Sequence, residues 1–295
     1  MLQPALSVIL RADIFVDNMP GGGGIVAARF LSSATPDGRT IGVMNGAGML
    51  TARVTGRKNV PSLVTDFEIL GKVSPMQHVW AVASESRFYS VDDLRHATAR
   101  GPLVLGVRNI ASTSFASLAI GAHLLGLQHV IISGYASNRE TRLAAMRGEL
   151  DVVSMDVSSG SRLLANGSMR PLLQISEHDF KGSPYLAGVD TLADHVDFSN
   201  QSNNPSVSSA RVLTTLLQAN KLFVAPAGLP PSIGDCLQNA ISSALNDEAT
   251  AATLHARFAG SEFIDGTTTR KELQTIVDSL PVVESIVSTA AKRLR

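Results

Sequence analysis

The chain is poor in the residues that most often mark chemistry. One of its 295 residues is cysteine, Cys236, so no disulfide can form within a molecule, and its setting Ile233-Gly234-Asp235-Cys236-Leu237 predicts a small, half-buried helical position. The seven histidines (His78, His96, His123, His129, His178, His195, His255) include no i,i+4 pair and no cysteine at metal spacing, which excludes a zinc motif. No Gly-x-Ser-x-Gly elbow exposes a nucleophile. Charge of one sign is missing too: 25 basic residues balance 25 acidic ones, and no basic run or basic-aromatic interleaving offers a nucleic-acid surface. No segment approaches the roughly 18 uninterrupted apolar residues that a membrane helix requires. The opening residues Met1 to Arg11 carry neither a positive leader nor a small-residue cleavage site, so they read as a helix inside a fold rather than as a secretory signal. These absences leave a globular chain without a cofactor motif, 44% hydrophobic, and long enough for two cores at roughly 150 residues per domain.

Glycine, by contrast, is concentrated. Asp17-Asn18-Met19-Pro20-Gly21-Gly22-Gly23-Gly24 follows the apolar run Ile14-Phe15-Val16 and precedes the helix-like Ile25-Val26-Ala27-Ala28-Arg29-Phe30-Leu31, a strand, turn and helix start in sequence. Such a junction leaves backbone N–H groups at the positive end of a helix dipole with no side chains in the way, a generic cradle for an anion. A phosphate loop needs Gly-Lys-Ser/Thr, but here Gly24 is followed by Ile25 and Val26. A dinucleotide fold needs an acid at the end of the next strand, but Thr40 to Met44 is followed by Asn45-Gly46-Ala47-Gly48. What remains is an anion cradle without phosphate machinery.

Short apolar runs alternate with amphipathic stretches, which predicts an α/β protein with largely parallel sheets. Strands are expected at Val79 to Ala83, Leu103 to Val107, Val130 to Ser133, Val152 to Met155, Leu172 to Ile175 and Leu222 to Ala225. Ser90-x-x-Asp93, Ser137-x-x-Glu140 and Thr269-x-x-Glu272 have capping-box spacing, which accounts for the paired Asp92 and Asp93 without catalysis, and Gly148 is placed as a helix C-cap. Gly101-Pro102 and Pro226 flank the strands at which the chain can cross between lobes, so 1–102 with 223–295 form lobe 1 and 103–222 form lobe 2. Residues 198 to 210, rich in Ser and Asn, read as a polar loop, either a connector or a lid.

Ligands in α/β sheets gather beyond the carboxyl ends of strands. That rule nominates Asn45, Gly46 and Ala47, then Gly134 and Tyr135, then Asp156. It also nominates Ser112, Thr113 and Ser114, three hydroxyls at the start of a helix whose Phe115, Leu118, Ala119 and Ala122 share one face. Asp156 can receive a hydroxyl or amine, or pair with a nearby arginine.

Several blocks, in order along nearly the whole chain, resemble the substrate-binding proteins of tripartite tricarboxylate transporters, the Bug receptors. They are Asp17-Asn18-x-Pro20-Gly21-x-Gly23-Gly24, Ala34-Thr35-Pro36-Asp37-Gly38-Arg39-Thr40, Thr65-Asp66-Phe67-Glu68-Ile69-Leu70-Gly71, Arg142 to Asp151, and Phe223-Val224-Ala225-Pro226-Ala227-Gly228-Leu229-Pro230. The resemblance implies a two-lobed type II periplasmic-binding-protein-like fold with a ligand cleft between the lobes. It implies a periplasmic, non-catalytic receptor that captures a di- or tricarboxylate by hinge closure and delivers it to membrane permease subunits. The expected ligand set is Gly21, Gly22, Gly23, Gly24, Asn45, Gly46, Ala47, Ser112, Thr113, Ser114, Gly134, Tyr135 and Asp156, with no cofactor and no metal. In the family the turn at Ser112 is Gly-x-Gly-Ser-like, and here Ala111 replaces the last glycine. The family also opens with a signal, a strand and a Pro/Gly-rich loop before a helix like residues 1 to 11, so this chain is expected either to have a shortened start or to lack part of one lobe's sheet. An anion-binding α/β enzyme and a paralogue without ligand are the alternatives.

Overall fold

The computed structural model describes residues 2–198, 205–258 and 260–294. Along the chain run α1 (Gln3–Leu10), α2 (Ile25–Ser32), β1 (Gly42–Met44), α3 (Gly46–Val54) and β2 (Phe67–Ser74). Next come β3 (His78–Ala83), α4 (Val91–Thr98), β4 (Leu103–Gly106), α5 (Thr113–Leu124), β5 (His129–Ile132) and α6 (Asn138–Met146). They are followed by β6 (Val153–Asp156), α7 (Val157–Ala165), β7 (Met169–Gln174) and α8 (Pro205–Leu217). The chain closes with β8 (Leu222–Pro226), α9 (Pro231–Asn246), α10 (Glu248–Arg257), β9 (Glu262–Asp265), α11 (Gly266–Ser279) and α12 (Pro281–Lys292). This is a mixed α/β protein, and every expected strand from Val79 onward is present to within about three residues, the usual uncertainty of an element's ends.

Two compact units divide the chain. Unit 1 takes Met1–Leu50, Lys58–Met76 and Gln218–Val277, and unit 2 takes Thr51–Arg57, Gln77–Leu217 and Asp278–Arg295. The division differs from the expected 103–222: β3 hydrogen-bonds to β6 and β7 and so belongs with them, and Thr51–Arg57 and Asp278–Arg295, expected in lobe 1, also fall in unit 2.

Unit 1 is built on a four-stranded sheet in the order β1-β8-β2-β9. Every pairing in it is antiparallel, contrary to the expectation of mainly parallel strands: β8, from far along the chain, runs against both β1 and β2, and β9 runs against β2. Leu70 and Val73 of β2 and Phe223 and Ala225 of β8 pack on Leu237, Ala240, Ile241 and Ala244 of α9, with Leu6 of α1 joining them. Lys72 on β2 is buried, and its ammonium meets Glu272 of α11 at 2.5 Å. That contact corrects the reading of Thr269-x-x-Glu272 as a capping box: Asp265 caps this helix instead, accepting from Thr268 N–H at 2.9 Å, and Thr269 lies within it.

The strand expected at Ile14-Phe15-Val16 does not form. A strand exists only through a neighbour that accepts its hydrogen bonds, and among the described residues β1, at the edge, pairs with β8 alone. Phe15 is accordingly 92% exposed and Val16 68%. Cys236 is exposed on α9, not half-buried.

In unit 2, β4 and β5 run parallel and β3 lies antiparallel between β6 and β7. A parallel bridge between Leu105 and Val152 puts β4 beside the start of β6. Val79 and Ala81 of β3 and Val153 and Met155 of β6 pack on Ala144 and Ala145 of α6. Ser90 opens α4 with a complete capping box, accepting from Asp93 N–H at 3.1 Å while Asp93 accepts from Ser90 N–H at 3.0 Å. Ser137 caps α6 in half that manner: Glu140 accepts from Ala136 rather than from the cap residue. Of the polar loop expected at 198 to 210, residues 199–204 lie outside the described residues, and from Pro205 the chain is helical, proline being well suited to a first helical position.

Candidate functional site

The unit 1 candidates begin with the glycine turn. Gly21, Gly22, Gly23 and Gly24 all have positive φ (130°, 58°, 73° and 96°), a run that side chains would strain at every step. Gly24 N–H closes the turn on Gly21 C=O at 2.9 Å, and Gly24 serves as N-cap of α2 without a side-chain cap. The first N–H groups of α2 therefore have no side-chain cap, while the Val26 side chain lies close over Gly21. Asn45 sits past β1 and caps α3 through Gly48 N–H at 3.0 Å. Gly46 and Ala47 behind it are buried: a Cβ at Gly46 would meet Leu222 Cδ1 at 2.4 Å, and Ala47 N–H donates to Ala219 C=O at 2.8 Å. Close packing accounts for both residues.

In unit 2 the strand directions bring the remaining candidates to one sheet edge. The ends of β4, β5, β6 and β7 share it with the start of β3. Past β4, Ser112 is the N-cap of α5, its hydroxyl accepting from Phe115 N–H at 3.2 Å and donating to Asn109 C=O at 2.6 Å. Ser114 Oγ lies 3.0 Å from Ser112 Oγ, and Thr113 is buried. One of the three hydroxyls is thus committed to the cap. Past β5, Gly134 (φ 105°) donates to Arg108 C=O at 3.1 Å, which ties that turn to the one after β4. Burial chiefly, helped by Glu149 and Glu140 and opposed by Arg147, raises the pKa of the Tyr135 phenol beside it.

Past β6, Asp156 caps α7, accepting from Ser159 N–H at 2.8 Å and from the Ser158 hydroxyl. Burial alone would raise its pKa, but the Ser158 hydrogen bond, the charge of His78 and the two bonds from Ser159 outweigh it and hold the carboxyl below its ordinary range. No ion pair to an arginine forms among the described residues, although Arg142 Nη1 reaches Ser159 Oγ at 3.4 Å nearby. Burial first, then Arg139, lowers the pKa of the Arg142 guanidinium against the pull of Asp156. Asp156 is therefore an ionised cap.

Sequence reasoning passed over Arg108 and His78, which the structure puts on this edge. His78 is buried opposite Asp156 in the β3–β6 register. Arg108 stands two residues beyond β4, and its Nε is buried with no hydrogen-bond partner among the described residues. Its place directly after a strand was the available signal. Among the described residues no group of His, Cys, Asp and Glu could hold a metal ion, and no helix is long and apolar enough to cross a membrane.

Solved structures of periplasmic binding proteins share this α/β fold. The chain superposes on periplasmic binding protein BugD with a TM-score of 0.75 at 16% identity, covering 100% of this chain and 92% of that one. Against R. palustris Rpa4515 with adipate the TM-score is 0.76 at 18% identity, covering 100% and 92%. Against MatC from Rhodopseudomonas palustris with bound malate it is 0.70 at 17% identity, covering 95% and 92%. A comparison with curated protein sequences finds no match. Residues 1–271 match the family described as tripartite tricarboxylate transporter family receptor, TctC, and the chain belongs to that family.

Proposed function

We propose that this chain captures a small organic acid outside the cytoplasm and delivers it chemically unchanged to the permease subunits of a tripartite transporter. The observation that carries the reading is the Gly21–Gly24 turn: four successive left-handed glycines open α2 with no side-chain cap, on a chain of the receptor family. That geometry presents backbone donors and a positive dipole end to an anion, and it supplies neither base nor nucleophile for a reaction. Similar structures hold adipate and malate, which is consistent with a dicarboxylate here.

In this reading the glycine turn of unit 1 offers its backbone donors to a carboxylate, and in unit 2 Ser114, Gly134 and Tyr135 are the groups least committed to the fold. Asn45, Gly46 and Ala47 contribute shape rather than donors. Asp156 stays ionised and discourages a carboxylate at its own position while favouring a hydroxyl or amine there.

Calorimetric titration with C4 to C6 mono-, di- and tricarboxylates tests this, together with mass spectrometry of the acid recovered afterwards. Saturable binding of a diacid or triacid, recovered with unchanged mass, is expected. Failure of every acid to bind, or recovery of a changed product, overturns the reading.

A further inference from the structure

Three arginines of unit 2 have an Nε that is buried without a hydrogen-bond partner among the described residues: Arg108, Arg142 and Arg170. Two of them are accounted for by their other contacts. Arg170 Nη2 donates to Ser86 C=O at 3.0 Å and to Phe88 C=O, and its guanidinium lies over the Tyr89 ring at 4.1 Å. Arg142 bonds Ser159 and feels the charge of Asp156. Arg108 differs, because among the described residues its guanidinium makes neither a hydrogen bond nor an ion pair.

A buried guanidinium N–H left unpaired is costly, more so than a neutral donor. The cost recurs in folded proteins where an external group completes the site. Here the orphaned atom is Nε, which with one Nη forms the side-on fork that matches the two oxygens of a carboxylate. Arg108 also stands where such a ligand collects, just past the end of β4 beside a parallel neighbour. The turn after β5 is hydrogen-bonded to its own carbonyl, and α5 begins five residues on.

We infer that Arg108 is a carboxylate-binding residue of unit 2, receiving one carboxylate of the ligand side-on through Nε and Nη and selecting diacids over acids with a single charge. The inference rests on the receptor reading above and adds to it a charged recognition group. Backbone donors and hydroxyls discriminate weakly between a carboxylate and its amide, which also presents an oxygen. A guanidinium fork discriminates strongly, because the amide nitrogen brings a donor against a donor.

The test titrates the parent chain, Arg108→Gln and Arg108→Lys with succinate, malate and adipate and with the half-amide of each, alongside thermal melts. The parent is expected to bind at least one diacid about tenfold or more tighter than its half-amide. In Arg108→Gln the diacid should weaken by about tenfold or more and bind no better than the half-amide. Arg108→Lys keeps the charge without the fork, so it should remain at least about fivefold weaker than the parent; it carries the test if the glutamine variant melts early. Diacid affinity within about twofold of the parent in either folded variant overturns the inference while the receptor reading stands. A parent that binds none of the acids overturns both.

Discussion

Trp80 offers a direct measure of how unit 2 is held together. It is the single tryptophan of the chain and is fully buried on β3, and its indole N–H donates to Ser117 Oγ on α5 at 3.0 Å. Ser117→Ala removes the acceptor and leaves the N–H in the core, which costs about 1–3 kcal/mol. Alanine returns roughly 0.5 kcal/mol as the better helix former. The indole cannot slide along α5 to a new partner, because even a Cβ at Gly121 would lie 2.6 Å from Trp80 Cζ2. The unsatisfied donor therefore wins, and a net loss of about 0.5–2.5 kcal/mol is expected, or roughly 1–10 °C in the melting temperature of unit 2. Guanidinium unfolding followed by tryptophan emission reads unit 2 alone, while far-ultraviolet circular dichroism reads the whole chain. The midpoint by emission should fall with the m-value unchanged. A variant whose emission midpoint matches the parent's would show that the indole does not depend on Ser117, and the account of this core contact would fail.

Gly23→Val places a β-branched residue at φ 73°. It should cost about 1–2 kcal/mol of stability and weaken acid binding, whereas Gly23→Asn, which tolerates the left-handed region, should keep the stability; melts and titrations of both separate strain from ligand contact. Ser112→Ala should lower stability by about 0.5–2 kcal/mol as a lost cap, while Ser114→Ala should melt as the parent does and lose affinity for the acid; an unchanged titration would remove Ser114 from the site. Because folding depresses the Asp156 pKa, its stabilisation is complete above the unfolded value of about 3.9 and lost as pH falls through the folded one. Asp156→Asn should therefore be less stable than the parent at pH 7 by a margin that shrinks on acidification, and a margin that grows in acid would reverse the assignment.

Features decided by local chemistry were legible from residues alone. The Ser90 box, the left-handed Gly148 one residue past the Arg147 C-cap of α6 and the glycine turn follow from a few neighbouring residues, and the strands β3 to β8 announce themselves as short apolar runs. Features decided by a distant partner were not. Ile14-Phe15-Val16 has strand composition and no strand to pair with. Thr269 and Glu272 have box spacing, yet Lys72, far away in sequence, takes the carboxylate. The helix from Pro205 was hidden by polar composition, although proline followed by Ser-Val-Ser is a fair helix start. At the candidate site, sequence marked the turns but not Arg108, whose interest lies in a missing partner that only the packed structure reveals.

The order of strands in unit 1 carries a consequence for synthesis. β1 and β2 are made early, but β8, which must lie between them, emerges about 150 residues after β2, and β9 later still. At roughly 5–20 residues per second the ribosome leaves those strands without their partners for about 7–30 s. All five strands of unit 2 emerge and can pair within that interval, since β3 to β7 lie in one uninterrupted stretch of chain. The sheets of unit 2 can thus pair while their companion waits, with α12 at the very end of the chain left to complete that unit, and the nascent protein passes through a stage in which the apolar strands of unit 1 are open to chaperones and to aggregation.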